Sequence, residues 1–73
     1  KKGYAENDEE LEKGLRAVAA PIFNHTGEAV AATNIVWTTA RHPSRKVFEI
    51  FTPKIISAAE QISVRLGYVK RLP

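Results

Sequence analysis

The chain has no cysteine among its 73 residues. That removes a disulfide framework and any thiolate metal site. Histidine is scarce as well: His25 sits near a turn and His42 beside a proline, far apart in sequence. They lack ligand spacing and read as surface loop residues. No apolar run approaches the roughly 20 residues that cross a bilayer, and the opening KKGYAENDEE is unlike a signal peptide. These absences point to the cytoplasm and away from any membrane. A glycine-rich phosphate loop is missing too, because the Gly-Glu-Ala-Val at 27–30 has no helical pattern behind it. Internal repeats and low-complexity tracts are absent, and nothing calls for a cofactor.

What is present is one apolar centre, residues 14–37, GLRAVAAPIFNHTGEAVAATNIVW. Its halves are rich in Val, Ile, Ala and aromatics, and they join at the polar Asn24-His25-Thr26-Gly27. That composition predicts a β-hairpin, with strands over 15–23 and 28–37. Pro21 has no N–H, so it belongs at an edge, a bulge or an outward-facing position. Ala19-Ala20 and Ala31-Ala32 have weak strand propensity, so something must reward small side chains there. A helix packing closely on one face does so, and so does a ligand cavity over the sheet. Both can hold, on opposite faces.

The segments on either side carry opposite charge. Glu6, Asp8, Glu9, Glu10 and Glu12 crowd the start, whereas Arg41, Arg45, Lys46, Lys54, Arg65, Lys70 and Arg71 lie in the second half, for a net charge of +3. The cations lack interleaved aromatics and a helix-turn-helix pattern, so a solvated face is expected rather than a nucleic-acid surface. A short strand led by Tyr4 is expected over 3–6. Residues 7–12 are too acidic for a core strand and read as a solvated connection, or one helical turn capped by Asn7 or Asp8. Alternatively, Asn7 or Asp8 reaches into a pocket.

After the hairpin, Ser44 can cap a helix beginning at Arg45. Val47, Phe48, Phe51, Ile55, Ala59, Ile62 and Leu66 recur at three- and four-residue steps as one apolar stripe. Thr52-Pro53 reads as a second cap followed by proline, which predicts a break or kink. Gly67 stops the helix. A chain of this length forms at most one domain, and a core below about 70–80 residues rarely supplies more than ~3–5 kcal/mol. The chain also opens abruptly, so a fragment of a larger domain, or a domain needing partner chains, is expected.

No nucleophile–base pair, carboxylate pair or metal set converges on the hairpin, so an enzyme is not expected. Glu9 and Glu10 are adjacent and alternate faces if extended. Two other classes remain: a small-molecule sensor, and an oligomerisation or interaction module with no small-molecule ligand. A polar hole lined by Asn34 favours the first, and a hairpin face covered by side chains favours the second.

The residues so assembled resemble a known family. GYAENDEELEKGLRAVAAPIFNHTGEAVAATNI, then Arg41 and a helix ending ISVRLGY, is similar to the C-terminal half of the effector-binding domain of IclR-type bacterial transcriptional regulators. The most specific parts are Glu9-Glu10…Gly14-Leu15-Arg16, Ala19-Ala20-Pro21, the Asn-x-x-Gly turn, Arg41 and Ile62-Ser63…Leu66-Gly67-Tyr68. The resemblance implies an α/β (α+β, GAF-like) fold, with an antiparallel sheet, helices on its faces and a small organic acid or aromatic catabolite as effector. It also implies a homo-oligomer, with operator DNA bound only through a separate N-terminal domain that this chain lacks. Carried over by position, the pocket contacts fall on Asn7, Leu15, Ala17, Asn34 and Val36. The family usually has Asp in place of Asn7, often Cys in place of Ala17, and often Ser in place of Asn34 and Val36. Asn at position 34 is similar to the branch that regulates aromatic-acid and β-ketoadipate catabolism.

The chemistry of these residues fits in part. An amide such as Asn34 offers two donors and an acceptor, and Leu15, Ala17 and Val36 can supply apolar walls. In a mixed sheet the same amide can equally be satisfied by backbone or water. Whether the two strands bring the residues together depends on the turn. If Asn24 pairs with Gly27, Ala17 lies opposite Asn34 and all four hairpin residues converge. If a type I turn with a glycine bulge sets Asn24 against Glu28, a one-residue slip separates them, unless a second bulge near Pro21 restores the register.

Overall fold

The computed structural model describes residues 3–69, which form three antiparallel strands and one helix. The strands are β1 (Ala5–Asp8), β2 (Leu15–Phe23) and β3 (Ala29–Thr38), in spatial order β1-β2-β3, and the helix is α1 (Val47–Arg65). The hairpin stands where its apolar halves predict. β2 occupies the expected range, and β3 starts one residue later than expected.

β1 lies two residues further along than the expected strand and takes in Asn7 and Asp8. Their polarity argued against a strand, but the residues facing them offset it. Asp8 lies opposite Arg16 and is held by two guanidinium groups, while Asn7 lies opposite Ala17 on the other face. Pro21 sits in the central strand beyond the reach of β1, whose last partner is Ala5 opposite Ala19. Phe23, of the same parity as Pro21, donates its N–H away from β3 to Ser63 Oγ at 2.9 Å. The missing N–H of Pro21 therefore points past the end of β1, where no ladder bond is lost.

The turn takes the second of the two readings. Asn24 N–H donates to the Glu28 carbonyl at 3.0 Å, and Gly27 N–H donates to the Asn24 carbonyl at 3.0 Å. Gly27 has φ +83°, the left-handed conformation that a glycine bulge needs. Asn24 Oδ1 gathers the Thr26 N–H, the Thr26 hydroxyl and the Glu28 N–H. A second irregularity then follows between Ile22 and Phe23: Phe23 pairs with Ala29 but Ile22 with Ala31, leaving Val30 as the extra residue. It lies close to Pro21 and, with the slip at the turn, shifts the pairing by two residues in all, so that the residues of each strand keep the faces expected of the simple turn.

α1 covers one face of the sheet. Its Phe48, Ile55 and Ala59 pack with Val18, Ala20, Ile22 and Trp37 as the core. Trp37 meets Phe48 and Phe51 edge-on, with ring centroids 4.9 and 5.1 Å apart. Three details depart from expectation. Regular helix begins at Val47 rather than Arg45, although Ser44 Oγ still accepts the Lys46 N–H at 3.1 Å. The expected break at Pro53 is absent, and the helix runs on through it with Thr52 buried inside rather than capping a second helix. The proline ring is exposed, and the helix is held to the sheet by buried residues on either side of it, Phe48 before and Ile55 and Ala59 after, against the ~3 kcal/mol that an interior proline costs. Finally, the buried stripe ends on Ser63, not on Ile62 and Leu66, which are 40% and 46% exposed.

Ser63 is inside because its hydroxyl is satisfied there. It accepts the Phe23 N–H and donates to the Ala59 carbonyl at 2.8 Å. Gly67, at φ +90°, closes the helix as expected. Its N–H reaches the Val64 carbonyl and that of Tyr68 the Ser63 carbonyl, the paired bonds of a Schellman motif. Tyr68 then stacks on Phe23 at 5.0 Å.

Candidate functional site

In an antiparallel ladder, residues directly opposite each other share a face. Asn7, Ala17 and Val36 form one row across all three strands. Ala5, Ala19 and Asn34 form the next, and Leu15 lies opposite Thr38 beyond the first. The five residues Asn7, Leu15, Ala17, Asn34 and Val36 therefore share one face. The pairings are shifted from those of the simple turn, with Ala17 opposite Val36 and Asn34 opposite Ala19.

This face is turned away from α1, which covers the alternate residues Arg16, Val18, Ala20, Ile22 and Trp37. Of the small side chains, Ala20 packs under the helix, as one of the two expectations has it, and Ala17 and Ala19 stand on the open side. Asn34 is exposed and Val36 is 54% exposed, while Asn7, Leu15 and Ala17 are half-buried. Among the described residues, the alanines leave a shallow apolar floor bordered by two amides. A separate cavity of about 420 Å³ lies between β2 and α1, among Ala20, Phe23, Ile56, Ala59, Ser63 and Tyr68, and none of the five residues lines it.

The two amides differ in freedom. Asn7 Oδ1 accepts the Glu10 N–H at 3.0 Å, which fixes which end of the amide is the oxygen, whereas Asn34 makes no such bond among the described residues. The other face of the same strand end is held by a group that sequence reasoning left out. Asp8 Oδ1 accepts the Arg16 Nε–H at 2.6 Å, its Oδ2 meets the Arg45 guanidinium, and Arg16 Nη1 donates to the Pro43 carbonyl at 3.0 Å. The Arg16 hydrogen bond, with the charges of Arg16 and Arg45, holds the Asp8 carboxyl below the usual carboxylate range. Arg16 is 9% exposed, and the Arg45 guanidinium also sits 5.0 Å over the Phe48 ring. This clamp ties β1 to the segment leading into α1. The signal for it was present in the i to i+8 spacing of Asp8 and Arg16 around a turn at Lys13-Gly14, which favours an ion pair across a hairpin.

The other charges stay outside. His25, Arg41, His42, Lys46, Lys54 and Arg65 are exposed, as a solvated face requires, and Lys70 and Arg71 lie outside the described residues. Among the described residues no group of three His, Asp or Glu side chains is placed to hold a metal ion, and no helix is long and apolar enough to cross a membrane.

The described residues thus form a half-open antiparallel sheet backed by one helix, with a small-residue floor between two amides. The chain belongs to the family described as bacterial transcriptional regulator IclR C-terminal, which it matches over residues 1–64. It is 36% identical over 66 residues to the HTH-type transcriptional regulator KdgR of Escherichia coli, covering 90% of this chain and 25% of that protein. The chain thus spans about a quarter of the length of that relative. The crystal structure of the C-terminal domain of E. coli KdgR superposes with a TM-score of 0.78 at 36% identity, over 92% of this chain and 40% of that one. A double mutant of the PobR inducer-binding domain from Acinetobacter, solved with 3-hydroxybenzoic acid, superposes with a TM-score of 0.73 at 28% identity, over 84% of this chain and 35% of that one. The relatives are regulators rather than enzymes.

Proposed function

We propose that this chain is the C-terminal part of the effector-binding domain of a transcriptional regulator, and that its open sheet face is one wall of the effector pocket. Asn7, Leu15, Ala17, Asn34 and Val36 are the contacts, and the effector is a small organic or aromatic acid. The observation that carries this reading is the convergence of all five residues on the face that α1 leaves free. Leu15, Ala17 and Val36 give apolar contact, and the amides give polar contact without a buried charge. The PobR domain, solved with an aromatic acid, supports the ligand class. Operator DNA is contacted by a separate region N-terminal to this one, and the regulator works as a homo-oligomer in the cytoplasm.

The test is a thermal-shift screen of small carboxylates and aromatic acids on the complete regulator, followed by Asn34→Ala. Stabilisation by an acid, lost in that variant, supports the sensor. A regulator that no small acid stabilises, and whose subunits separate when Val36 is made charged, is instead an interaction module.

A further inference from the structure

The clamp on Asp8 joins three segments through one buried guanidinium. Arg16 Nε–H donates to Asp8 Oδ1 in β1, its Nη1 donates to the Pro43 carbonyl, and its Nη2 lies 4.0 Å from Glu9 Oε2. Glu9 opens the β1–β2 connection at φ +61°, a left-handed conformation that a residue with a Cβ seldom adopts. Its neighbours hold it there. Glu9 N–H donates to the Leu15 carbonyl at 2.9 Å, and Glu9 Oε1 accepts the Gly14 N–H at 2.8 Å. Arg45 completes the set, since its guanidinium meets Asp8 Oδ2 and lies 5.0 Å over the Phe48 ring in the first turn of α1.

β1 is the weakly held member of this assembly. It has four residues and, among the described residues, a single strand neighbour, β2. So short a ladder contributes little by itself, and an edge of this kind opens well below the free energy of global unfolding. Two influences favour its docked state. On the helix side it is the clamp on Asp8. On the other side it is an occupant of the open face, which β1 borders with Asn7 opposite Ala17. Adjacent residues of a strand point to opposite faces, so whatever seats β1 from one face also seats the group on the other. Two influences on one docking equilibrium reinforce each other, each by the same factor.

We infer that β1 is a relay across the sheet: occupancy of the open face fixes β1, and Asp8 then fixes Arg16, Arg45 and the start of α1 on the opposite side. This rests on the open face being the pocket wall, and it adds the route by which a bound effector alters a region that it does not touch. Arg16 and Arg45 are positioning residues in this device, acting through Asp8. The far end has its own reporter. The N–H groups of Lys46, Val47, Phe48 and Glu49 bond to Ser44 Oγ and to the Ser44, Arg45 and Lys46 carbonyls, so their exchange with solvent follows the closure of this segment.

The experiment is amide hydrogen exchange on the complete regulator, with and without a saturating acid. The acid is the one among lactate, succinate, benzoate and 3-hydroxybenzoate that calorimetry shows to bind most tightly. In the wild type the acid should slow exchange at residues 46–49 by about fivefold or more, along with that of the open-face strands. In Asp8→Asn and Arg45→Met the acid should still protect the strands at residues 15–19, while the protection at 46–49 falls away. The Arg45 side chain is 60% exposed, so the second variant keeps the fold if the first does not. An acid that protects the strands but leaves 46–49 unchanged in the wild type overturns the inference alone. So does protection of 46–49 that is as large in Arg45→Met as in the wild type. A wild-type regulator that binds none of the four acids overturns the small-acid sensor reading and this inference with it.

Discussion

Asp8 lies opposite Arg16 across the β1–β2 ladder, and its Oδ1 accepts the Arg16 Nε–H at 2.6 Å. This pair puts an acidic residue into a strand. It also links the edge of the sheet to Pro43 and Arg45, just ahead of the helix. The two arginines differ in burial, since the Arg16 side chain is 10% exposed and that of Arg45 60%. Arg16→Met should therefore lower the urea midpoint clearly more than Arg45→Met does, because an exposed ion pair contributes little. Equal losses would show that burial of Arg16 does not decide the strength of the clamp.

The same pair sets a pH dependence. The carboxyl of Asp8 titrates below its ordinary value in the folded chain. Its stabilising effect is complete above the unfolded carboxylate value of about 3.9 and is lost as pH falls through the lower, folded value. The advantage of the wild type over Asp8→Asn in chemical denaturation should hold steady from neutral pH to about pH 5 and shrink below about pH 4. An advantage that grows on acidification would contradict the assignment.

Ser63 supplies a second test, on the helix side. It is fully buried and is the acceptor for the Phe23 N–H. Ser63→Ala should cost about 1–3 kcal/mol by leaving that N–H unpaired. Ile62→Ala should cost less, because Ile62 is 40% exposed. Thermal melts that reverse this order would place Ile62 in the core instead.

Trp37 is 6% exposed, yet its Nε1–H has no partner among the described residues. Its contribution is aromatic packing on Phe48 and Phe51. Trp37→Ala should cost about 3–5 kcal/mol, and Trp37→Phe less, because it keeps an aromatic ring against Phe48 and Phe51. As the only tryptophan in the chain, it also reports on the core through its fluorescence, which should be blue-shifted when folded. A Trp37→Phe loss as large as that of Trp37→Ala would contradict a role through aromatic packing.

The legible parts of this fold were those with local causes. The apolar halves around Asn24–Gly27 marked the hairpin, and Gly67 after Leu66 marked the helix end. The misread parts have tertiary causes. Asp8 looks solvated until Arg16 and Arg45 are placed around it. Pro53 looks like a break until the packing on both sides of it is seen. Ser63 looks like a surface residue until Phe23 offers its N–H. The site lay between these cases. Parity put Leu15 with Ala17 and Asn34 with Val36, but Asn-x-x-Gly permits two registers, and only the extra residue at Val30 brings the pairs onto one face. The clamp is hard to see in the sequence because Asp8 stands in an acidic run with the composition of a solvated segment, and one of its partners, Arg45, is 37 residues away.

The central claim is that the face bearing Asn34 binds the effector, and its most direct test is the affinity of the complete regulator for its best small-acid ligand with and without the Asn34 amide. Asn34→Ala should weaken binding by about 1–3 kcal/mol and leave the melting temperature of the unliganded protein unchanged, because Asn34 is exposed. Ser57→Ala, on the exposed side of the helix, should change neither. An Asn34→Ala protein that binds the acid as tightly as the wild type would contradict the account.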